Sequence, residues 1–381
     1  MAAGTSSSEW RRNRLAALLG VEFPIVQGPL GGLSSQRLTA AVSEFGGLGS
    51  FGAHSLAPDS IGETVADIRA LTRRPFAVNL WVSMEDEGAR ASGESEFSRS
   101  LAPLAPHLAA LGVPSPAYSP YAQASFEAQV RAVLDARAPV LSFIFGVPPA
   151  DVLRECRARG IVTIGTATTP DEAAALEEAG VDAIVASGLE AGGHRGSFLR
   201  SSEDSLTGTL SLVPQVVDAV KVPVIAAGGI GDARGVVAAL ALGAEGVQMG
   251  TAFLACEYSG AGRLHREMLR RPEAGRTGLT RGFTGRLARG IHNRLMEDLN
   301  REGTPILPYP LQRALVRHVA VAAEASGRPD LMPLWAGQSA RLSSHTDALE
   351  LLRSLVREID DIAAPVTEWS RRQLLKAPEI G

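Results

Sequence analysis

Short apolar runs alternate with stretches of helical length between residues 24 and 249 of this 381-residue chain. Apolar residues fill the runs almost throughout, which is typical of parallel strands buried on both faces. The alternation predicts an α/β protein, a (β/α)8 TIM barrel, with a doubly wound open sheet as the alternative topology. The regular repetition favours the closed barrel. Eight strands are predicted, at residues 24–27, 48–51, 76–81, 140–145, 162–165, 182–186, 223–227 and 246–249.

Two stretches interrupt or follow this alternation. Residues 82–120 are charged and serine-rich at first, and then contain a short helix and a proline-rich turn. Residues 256–340 are rich in Arg, Gly and Pro and lack strand periodicity, so we expect helices and loops over the C-terminal face of the barrel. We therefore predict that residues 256–340 form a second, mostly helical, substrate-covering domain to which residues 82–120 contribute.

The two ends of the chain are assigned to the barrel. The segment LAALLGV near the N-terminus predicts a short leading helix packed on the barrel. A helix over residues 345–362 would supply the eighth barrel helix, and residues 363–381 are expected to form a polar tail. The predicted barrel domain thus comprises residues 1–255 and 341–381.

The stretch PVIAAGGIGDARGVVAALALGAEGVQMGTAF, residues 223–253, has the features of a phosphate site. Glycines follow the seventh strand, Asp232 stands at the N-cap of the next helix, and Gly-Thr follows the eighth strand. Bare backbone amides and helix N-termini at two adjacent strand exits favour an anion, and barrels commonly bind phosphate there. The backbone amides predicted to hold phosphate are those of Gly228, Gly229, Gly250 and Thr251.

His194 is the candidate catalytic residue, because it follows the sixth strand at the face where barrel enzymes work. Gly192 and Gly193 beside it allow a sharp turn and close approach of a flat ligand, and an imidazole can act as a general base near neutral pH. Glu190, in the same loop, is a weaker candidate that is expected to be solvated. We expect most of the remaining histidines to lie in surface loops: His54, His107, His265, His292, His318 and His345.

Gln27 and Asn79 are polar side chains in the otherwise apolar first and third strands. Either amide could bind an aromatic ring system that has donor and acceptor edges, or it could be a satisfied core amide.

Composition narrows the function classes. The formal net charge is −4 with both signs interspersed, which argues against nucleic acid or an anionic membrane as the main partner. Two cysteines, Cys156 and Cys256, are too few for a zinc cage or a disulfide framework, so we expect a cytoplasmic, reducing location. No Ser-His-Asp order, metal-ligand cluster or Walker loop is present, and no metal is predicted.

Several motifs in this order resemble the nitronate monooxygenases, formerly called 2-nitropropane dioxygenases. In the barrel half they are QGPLGG, FAVNLW, GLEAGGHRG and the glycine-rich stretch above. In the C-terminal half they are GFTGRLARGIHNRL, YPLQ and LWAGQ. The resemblance spans most of the chain.

The resemblance implies a barrel that binds FMN without a covalent bond and oxidises alkyl nitronates with O2 to carbonyl compounds and nitrite. His194 matches the active-site histidine, which would act as a base or hold the anionic nitronate. The small-molecule substrate would be bound by a monomer or homodimer. The implied FMN-binding set comprises Gln27, Gly28, Pro29, Asn79, Gly192, Gly193, Ala227, Gly228, Gly229, Gly250, Thr251, Gly337 and Gln338.

Two alternatives stay open. A flavin-dependent enoyl-thioester reductase would share the GGH loop and the phosphate turns but would use NAD(P)H. The C-terminal motifs favour the nitronate oxidation over this reading. A non-catalytic barrel that binds a phosphorylated ligand would use the glycine turns alone and would have no use for His194.

Overall fold

All eight predicted barrel strands are present, and their bounds differ from the prediction by at most two residues. The computed structural model describes residues 9–83, 85–119 and 125–374; the other residues of the predicted barrel and of the 82–120 stretch lie outside these ranges. The first six strands are β1 (Ile25–Gln27), β2 (Gly49–Gly52), β3 (Phe76–Trp81), β4 (Val140–Ile144), β5 (Val162–Ala167) and β6 (Ala183–Ser187). A two-residue strand β7 (Gly193–His194) lies outside the barrel, which β8 (Val224–Ala227) and β9 (Gly246–Met249) complete.

The sheet is parallel and closed. The strand order is β1-β9-β8-β6-β5-β4-β3-β2. A parallel bridge between Val26 and Leu48 joins the two outer strands. The Gln27 amide donates to the Leu48 carbonyl at 2.9 Å and the Leu48 amide donates to the Ile25 carbonyl at 3.0 Å. The TIM barrel is confirmed, and the open doubly wound sheet is not formed.

Helices surround the barrel, and several begin at the polar residues that the sequence places there. Ser35, Thr169 and Asp232 each accept a hydrogen bond from a backbone amide of the first helical turn. The helices in the first half of the chain are α1 (Arg14–Leu19), α2 (Gln36–Phe45), α3 (Pro58–Leu71), α4 (Glu94–Leu101), α5 (Ala105–Ala110), α6 (Phe126–Asp135), α7 (Ala150–Ala158) and α8 (Pro170–Ala179). Those in the second half are α9 (Thr209–Ala219), α10 (Ala233–Ala241), α11 (Thr251–Leu254), α12 (Arg263–Leu269), α13 (Arg294–Leu299), α14 (Leu311–Ala325) and α15 (Ala348–Leu374).

The last helix occupies the eighth helical position of the barrel. It packs between α10 and α2, the helices that follow β8 and β1. Leu351, Leu352 and Leu355 of α15 are buried in the core that the barrel and its helices share. The helix continues to Leu374, so the polar tail predicted from residue 363 is wrong over residues 363–374, and residues 375–381 lie outside the described residues.

The leading helix α1 closes the amino-terminal end of the barrel. Leu15 and Leu19 are buried against inward-facing strand residues, among them Val26, Leu48 and Ile225. Burying each leucine contributes roughly 1.5–3 kcal/mol. The barrel is therefore plugged at this end, and a ligand must enter from the opposite face.

Residues 256–340 form a second hydrophobic core over the carboxyl end of the barrel. Leu104 and Leu108, from the 82–120 stretch, pack in this core with Leu299 and Leu315. The insertion also contains β10 (Thr277–Thr280) and β11 (Ala288–Ile291), which pair with β7 in the antiparallel order β10-β11-β7. The prediction of helices and loops missed these strands because their sequences, TGLT and ARGI, contain neither an apolar run nor a clear alternation of apolar and polar residues. Helix α4 was likewise not predicted in the charged, serine-rich stretch.

Candidate active site

A cavity opens at the carboxyl end of the barrel, between the strands and the insertion. Its floor is formed by residues of β3, β4, β5, β6, β8 and β9 and its walls by the loops that follow β1 and β8. The segment 335–337 of the insertion covers it. Of the predicted site residues, those that line this cavity are Gly28, Pro29, Asn79, Gly192, Gly193, His194, Ala227, Gly228, Gly229, Gly250, Thr251 and Gly337.

Two predicted cofactor contacts do not line this cavity. The side chain of Gln27 is fully buried, and its Nε2 donates to the carbonyls of Ser50 at 2.8 Å and Gly28 at 3.2 Å. Of the two alternatives for Gln27, the structure therefore shows the core amide with its hydrogen bonds satisfied. The bond to Ser50 links β1 to β2. Gln338 lines a neighbouring groove instead, where its backbone amide donates to the Glu190 carbonyl at 3.0 Å.

The turn after β8 has the backbone conformation that only glycine adopts easily. Gly228 and Gly229 have φ angles of 108° and 70°. A Cβ on Gly228 would lie 2.8 Å from Oγ1 of Thr209. Within the described residues, the amides of Gly229 and Gly250 donate to no protein acceptor. Their free N–H groups suit the oxygens of an anion.

Close contacts join the other loops of the cavity wall to one another. The Gly337 amide donates to Oγ1 of Thr251 at 2.9 Å. A Cβ on Gly192 would lie 2.5 Å from the Gly337 nitrogen, and one on Gly28 would lie 3.1 Å from Cα of Gly250. Side chains at these glycines would push the loops apart, so the glycines hold four separate segments around one space.

Glu190 supports the turn from behind and does not line the cavity. Its carboxylate accepts hydrogen bonds from the Thr209 amide, at 2.9 Å and 3.0 Å, and from Thr209 Oγ1 at 2.8 Å. It thereby satisfies the first turn of α9. The expectation of a solvated carboxylate is wrong, and the contacts indicate a structural role.

His194 lies on β7, where pairing with Ala288 of β11 fixes its backbone. Its Nε2 lies 2.9 Å from Oγ1 of Thr284. The rings of Trp81 and Trp335 are 5.0 Å and 5.3 Å from the imidazole. Burial, together with two nearby arginines, lowers the pKa of His194 to about 3. The ring is therefore neutral at physiological pH.

The two arginines differ in their partners. Arg286 stacks against Phe145 and Tyr309, with its guanidinium carbon 4.2 Å and 4.5 Å from the ring centres. Its Nε donates to the Asp86 carboxylate at 2.7 Å. Arg313 lies on α14, and its Nη1 donates to the hydroxyl of Tyr309 at 3.3 Å. The environment of the imidazole is thus aromatic and positively charged, which favours an anionic ligand.

Three histidines that were expected in surface loops are buried: His54, His107 and His265. His54 stacks flat on Trp81, with ring centres 3.9 Å apart and an interplanar angle of 5°. Nε2 of His265 lies 2.9 Å from the carbonyl of Trp335. Both histidines therefore support tryptophans that line the cavity.

The sequence analysis missed several residues around His194. Trp81 stands two positions after Asn79 in β3, and both line the cavity, as the two-residue period of a strand predicts. That signal was available. Arg286 and Arg313 gave no comparable signal, because an arginine in an irregular or amphipathic stretch is usually solvated.

Three features define the class of this protein: the closed barrel, the free amides at two adjacent strand exits and the neutral histidine in the same cavity. The class is that of (β/α)8-barrel enzymes whose site is at the carboxyl face. The model for the family "Nitronate monooxygenase" matches residues 12–358 of the chain. The chain therefore belongs to the nitronate monooxygenase family, and it is a flavin-dependent enzyme of the monooxygenase class, as the motifs predicted.

Individual relatives agree with this assignment. A probable nitronate monooxygenase of Staphylococcus aureus (strain Newman) is 40% identical over 354 residues, which cover 93% of this chain and 99% of the relative. The structure of nitroalkane oxidase from Streptomyces ansochromogenes superimposes with a TM-score of 0.85 at 38% identity, covering 93% of this chain and 100% of that one. FabK from Thermotoga maritima superimposes with a TM-score of 0.72 at 28% identity, covering 94% of this chain and 99% of that one.

No helix among the described residues is long and apolar enough to cross a membrane.

Proposed function

We propose that this protein binds FMN and oxidises alkyl nitronates with O2 to a carbonyl compound and nitrite. The observation that carries the proposal is the position of His194 in the same cavity as the free amides of Gly229 and Gly250, with Arg286 and Arg313 nearby. An anionic substrate and a phosphate-bearing cofactor would each find a suitable environment there. The family and the Streptomyces nitroalkane oxidase support oxidation of nitro compounds.

The residues present fit FMN. A Cβ on Gly193 would meet no atom within 4 Å, and one on Gly250 would meet only Leu30, at 4.0 Å, so both glycines face open space. The amides of Gly229, Gly250 and Thr251 would hold the phosphate, and Asn79 and Pro29 would lie near the ring or the ribityl chain. When bound, FMN supplies the electron transfer between substrate and oxygen.

His194 would hold the nitronate or accept a proton. A hydrogen bond with Thr284, in which either partner can be the donor, orients the ring. Exclusion of water by the surrounding aromatic side chains strengthens contacts to an anion. A histidine whose pKa is about 3 is a weak base and poorly matched to removing a proton from carbon at neutral pH. This favours the already ionised nitronate over the neutral nitroalkane.

The insertion would act as the substrate-covering domain. We assign residues 256–340 and part of 82–120 to this domain, and the rest of the chain to the barrel, on the basis of their separate hydrophobic cores. A monomer or homodimer and a cytoplasmic location stay predictions, for which light scattering after size exclusion and cell fractionation are the measurements.

The decisive experiment is the visible spectrum of the purified protein before and after anaerobic addition of the nitronate of nitroethane. We expect a flavin absorption band that changes with nitronate, and oxygen uptake and nitrite once air is admitted. Extraction of the flavin and chromatography would identify it as FMN.

Two other outcomes would replace the proposal. Bleaching by NAD(P)H but not by nitronate would indicate the reductase, to which the likeness to FabK lends only weak support. A colourless protein that cannot be reconstituted with FMN would leave the barrel that binds another phosphorylated ligand.

A further inference from the structure

Arg313 is a half-buried arginine close to the cavity, although neither it nor Tyr309 belongs to the cavity lining. Its Nη1 lies 3.3 Å from the hydroxyl of Tyr309 and 3.5 Å from Nε2 of His54. Its Nη2 reaches the loop after β1, where a Cβ on Gly32 would lie 3.5 Å away. That loop lines the cavity through the neighbouring Gly31. The guanidinium therefore lies behind the cavity lining, between the loop after β1 and the side chains of Tyr309 and His54.

Aromatic side chains connect Arg313 to the candidate catalytic residue. Tyr309 is completely buried, and its ring centre lies 5.2 Å from that of Trp81 and 6.3 Å from that of His194. Trp81 and His194 both line the cavity. A charge on Arg313 thus acts on the space in which a substrate would contact His194.

The charge on Arg313 has no acidic partner among the described residues. Its two polar neighbours are neutral, because burial and the nearby positive charges keep the pKa of His54 well below its ordinary value and Tyr309 contributes only a hydroxyl. Arg286 shows the contrast, since the Asp86 carboxylate compensates its charge at 2.7 Å. A partly desolvated guanidinium without a counter-ion is costly, and an anionic ligand would relieve that cost.

We propose that Arg313 is a specificity-determining residue whose uncompensated charge, next to Tyr309 and His54, favours the anionic nitronate over the neutral nitroalkane in the cavity. The inference rests on the proposed function for its substrate. It adds to the surroundings of His194 a positive charge that is supplied by α14 of the insertion and not by the barrel.

Steady-state kinetics of the flavin-loaded enzyme would test the inference. In Arg313→Gln we expect the KM for the nitronate of nitroethane to rise roughly 10-fold, as for loss of a nearby charge of opposite sign, with kcat changed little. The KM for neutral nitroethane should rise far less. Arg313→Lys keeps the charge and should recover most of the loss. Arg317→Gln is the matched control, because Arg317 lies one turn further along α14 and is exposed.

Calorimetric titration with sodium nitrite, an anion with the same O–N–O edge, gives a readout independent of turnover. The wild type and Arg317→Gln should bind nitrite with similar affinity and Arg313→Gln at least several-fold more weakly. Equal KM values and equal nitrite affinities in all variants would overturn the role of Arg313.

The two proposals can fail separately. Nitrite binding that depends on Arg313 in a protein that does not oxidise nitronates would remove the proposed function and retain the anion site. Nitronate oxidation that is insensitive to Arg313→Gln would retain the proposed function and remove the role of Arg313. If Arg313→Gln does not fold, Arg313→Lys can be compared at low and high ionic strength. A KM for nitronate and a Kd for nitrite that do not differ between the two ionic strengths would count against a charge-based role.

Discussion

The two ends of the cavity are built in different ways. At the proposed phosphate end, backbone amides of one stretch, residues 223–253, lie at two adjacent strand exits. At the His194 end, side chains from distant segments meet, with Trp81, Thr284 and Tyr309 drawn from the barrel and the insertion. A site made from local backbone geometry is visible in a sequence. A site made from side chains that the tertiary fold gathers is not.

The comparison would be sharpened most by removing the imidazole. His194→Ala should reduce nitronate turnover by roughly 10- to 100-fold, the range for loss of a hydrogen bond to a charged group. Flavin content should stay near that of the wild type, because the phosphate end is separate. His318→Ala, at an exposed position of α14, is the control. Wild-type turnover in His194→Ala would remove His194 from the mechanism.

The phosphate end should respond in the opposite way. Gly229→Asp should lower FMN content at least about tenfold, because a Cβ there would lie 3.2 Å from Cβ of Glu190, the new carboxylate would add negative charge beside the proposed phosphate turn, and the φ of 70° strains any side chain. Flavin absorbance per protein after desalting measures this.

A matched glycine separates strain from charge. Gly327 has a φ of 67°, and a Cβ there would meet nothing within 4 Å, so Gly327→Asp carries similar strain away from the cavity. It should keep its flavin. A fully loaded Gly229→Asp protein would contradict the phosphate assignment.

Loss of the hydrogen bond to His194 should have an intermediate effect. Thr284→Val keeps the shape of the buried side chain but removes the hydroxyl 2.9 Å from Nε2, so kcat should fall roughly 5- to 10-fold. Thr284→Ser should restore most of it, and flavin content should not change. Equal kcat values for Val and Ser would mean that Thr284 does not orient the imidazole.

The smallest expected effect is the change in the free energy of unfolding with pH. The pKa of His194 is lowered to about 3 and that of His265 to about 4, whereas both titrate near 6.5 when unfolded. Between pH 6.5 and about 4 the unfolded chain therefore binds more protons, and the free energy of unfolding should fall with falling pH by about 1 kcal/mol per unit for each histidine.

Urea unfolding across this pH range measures the slope. His265→Gln should make it shallower, while an exposed replacement such as His318→Gln should not. A slope that His265→Gln leaves unchanged would show that His265 is not a buried neutral group.

The buried histidines also show where sequence reasoning was limited. His54 and His265 stand in stretches with no apolar periodicity that would bury them, so a surface position was the reasonable expectation. Their burial follows from the packing of Trp81 and Trp335, which are themselves placed by the barrel and the insertion. Gln27 illustrates the converse, since a polar residue in a strand looked like a ligand contact and is a core amide.

The sequence by itself determined the elements that depend on local chemistry. Apolar runs of strand length, the N-cap at Asp232 and the glycines at Gly228, Gly229 and Gly250 are set by residues close together in the chain, and the closed barrel and its glycine turns follow from them. Only the tertiary structure decided which side chains surround His194. Thr284, Arg286 and Arg313 lie at least 90 residues from His194 in the chain. Folding of the insertion over the barrel brings them close to His194, where the two arginines and burial of the imidazole lower its pKa.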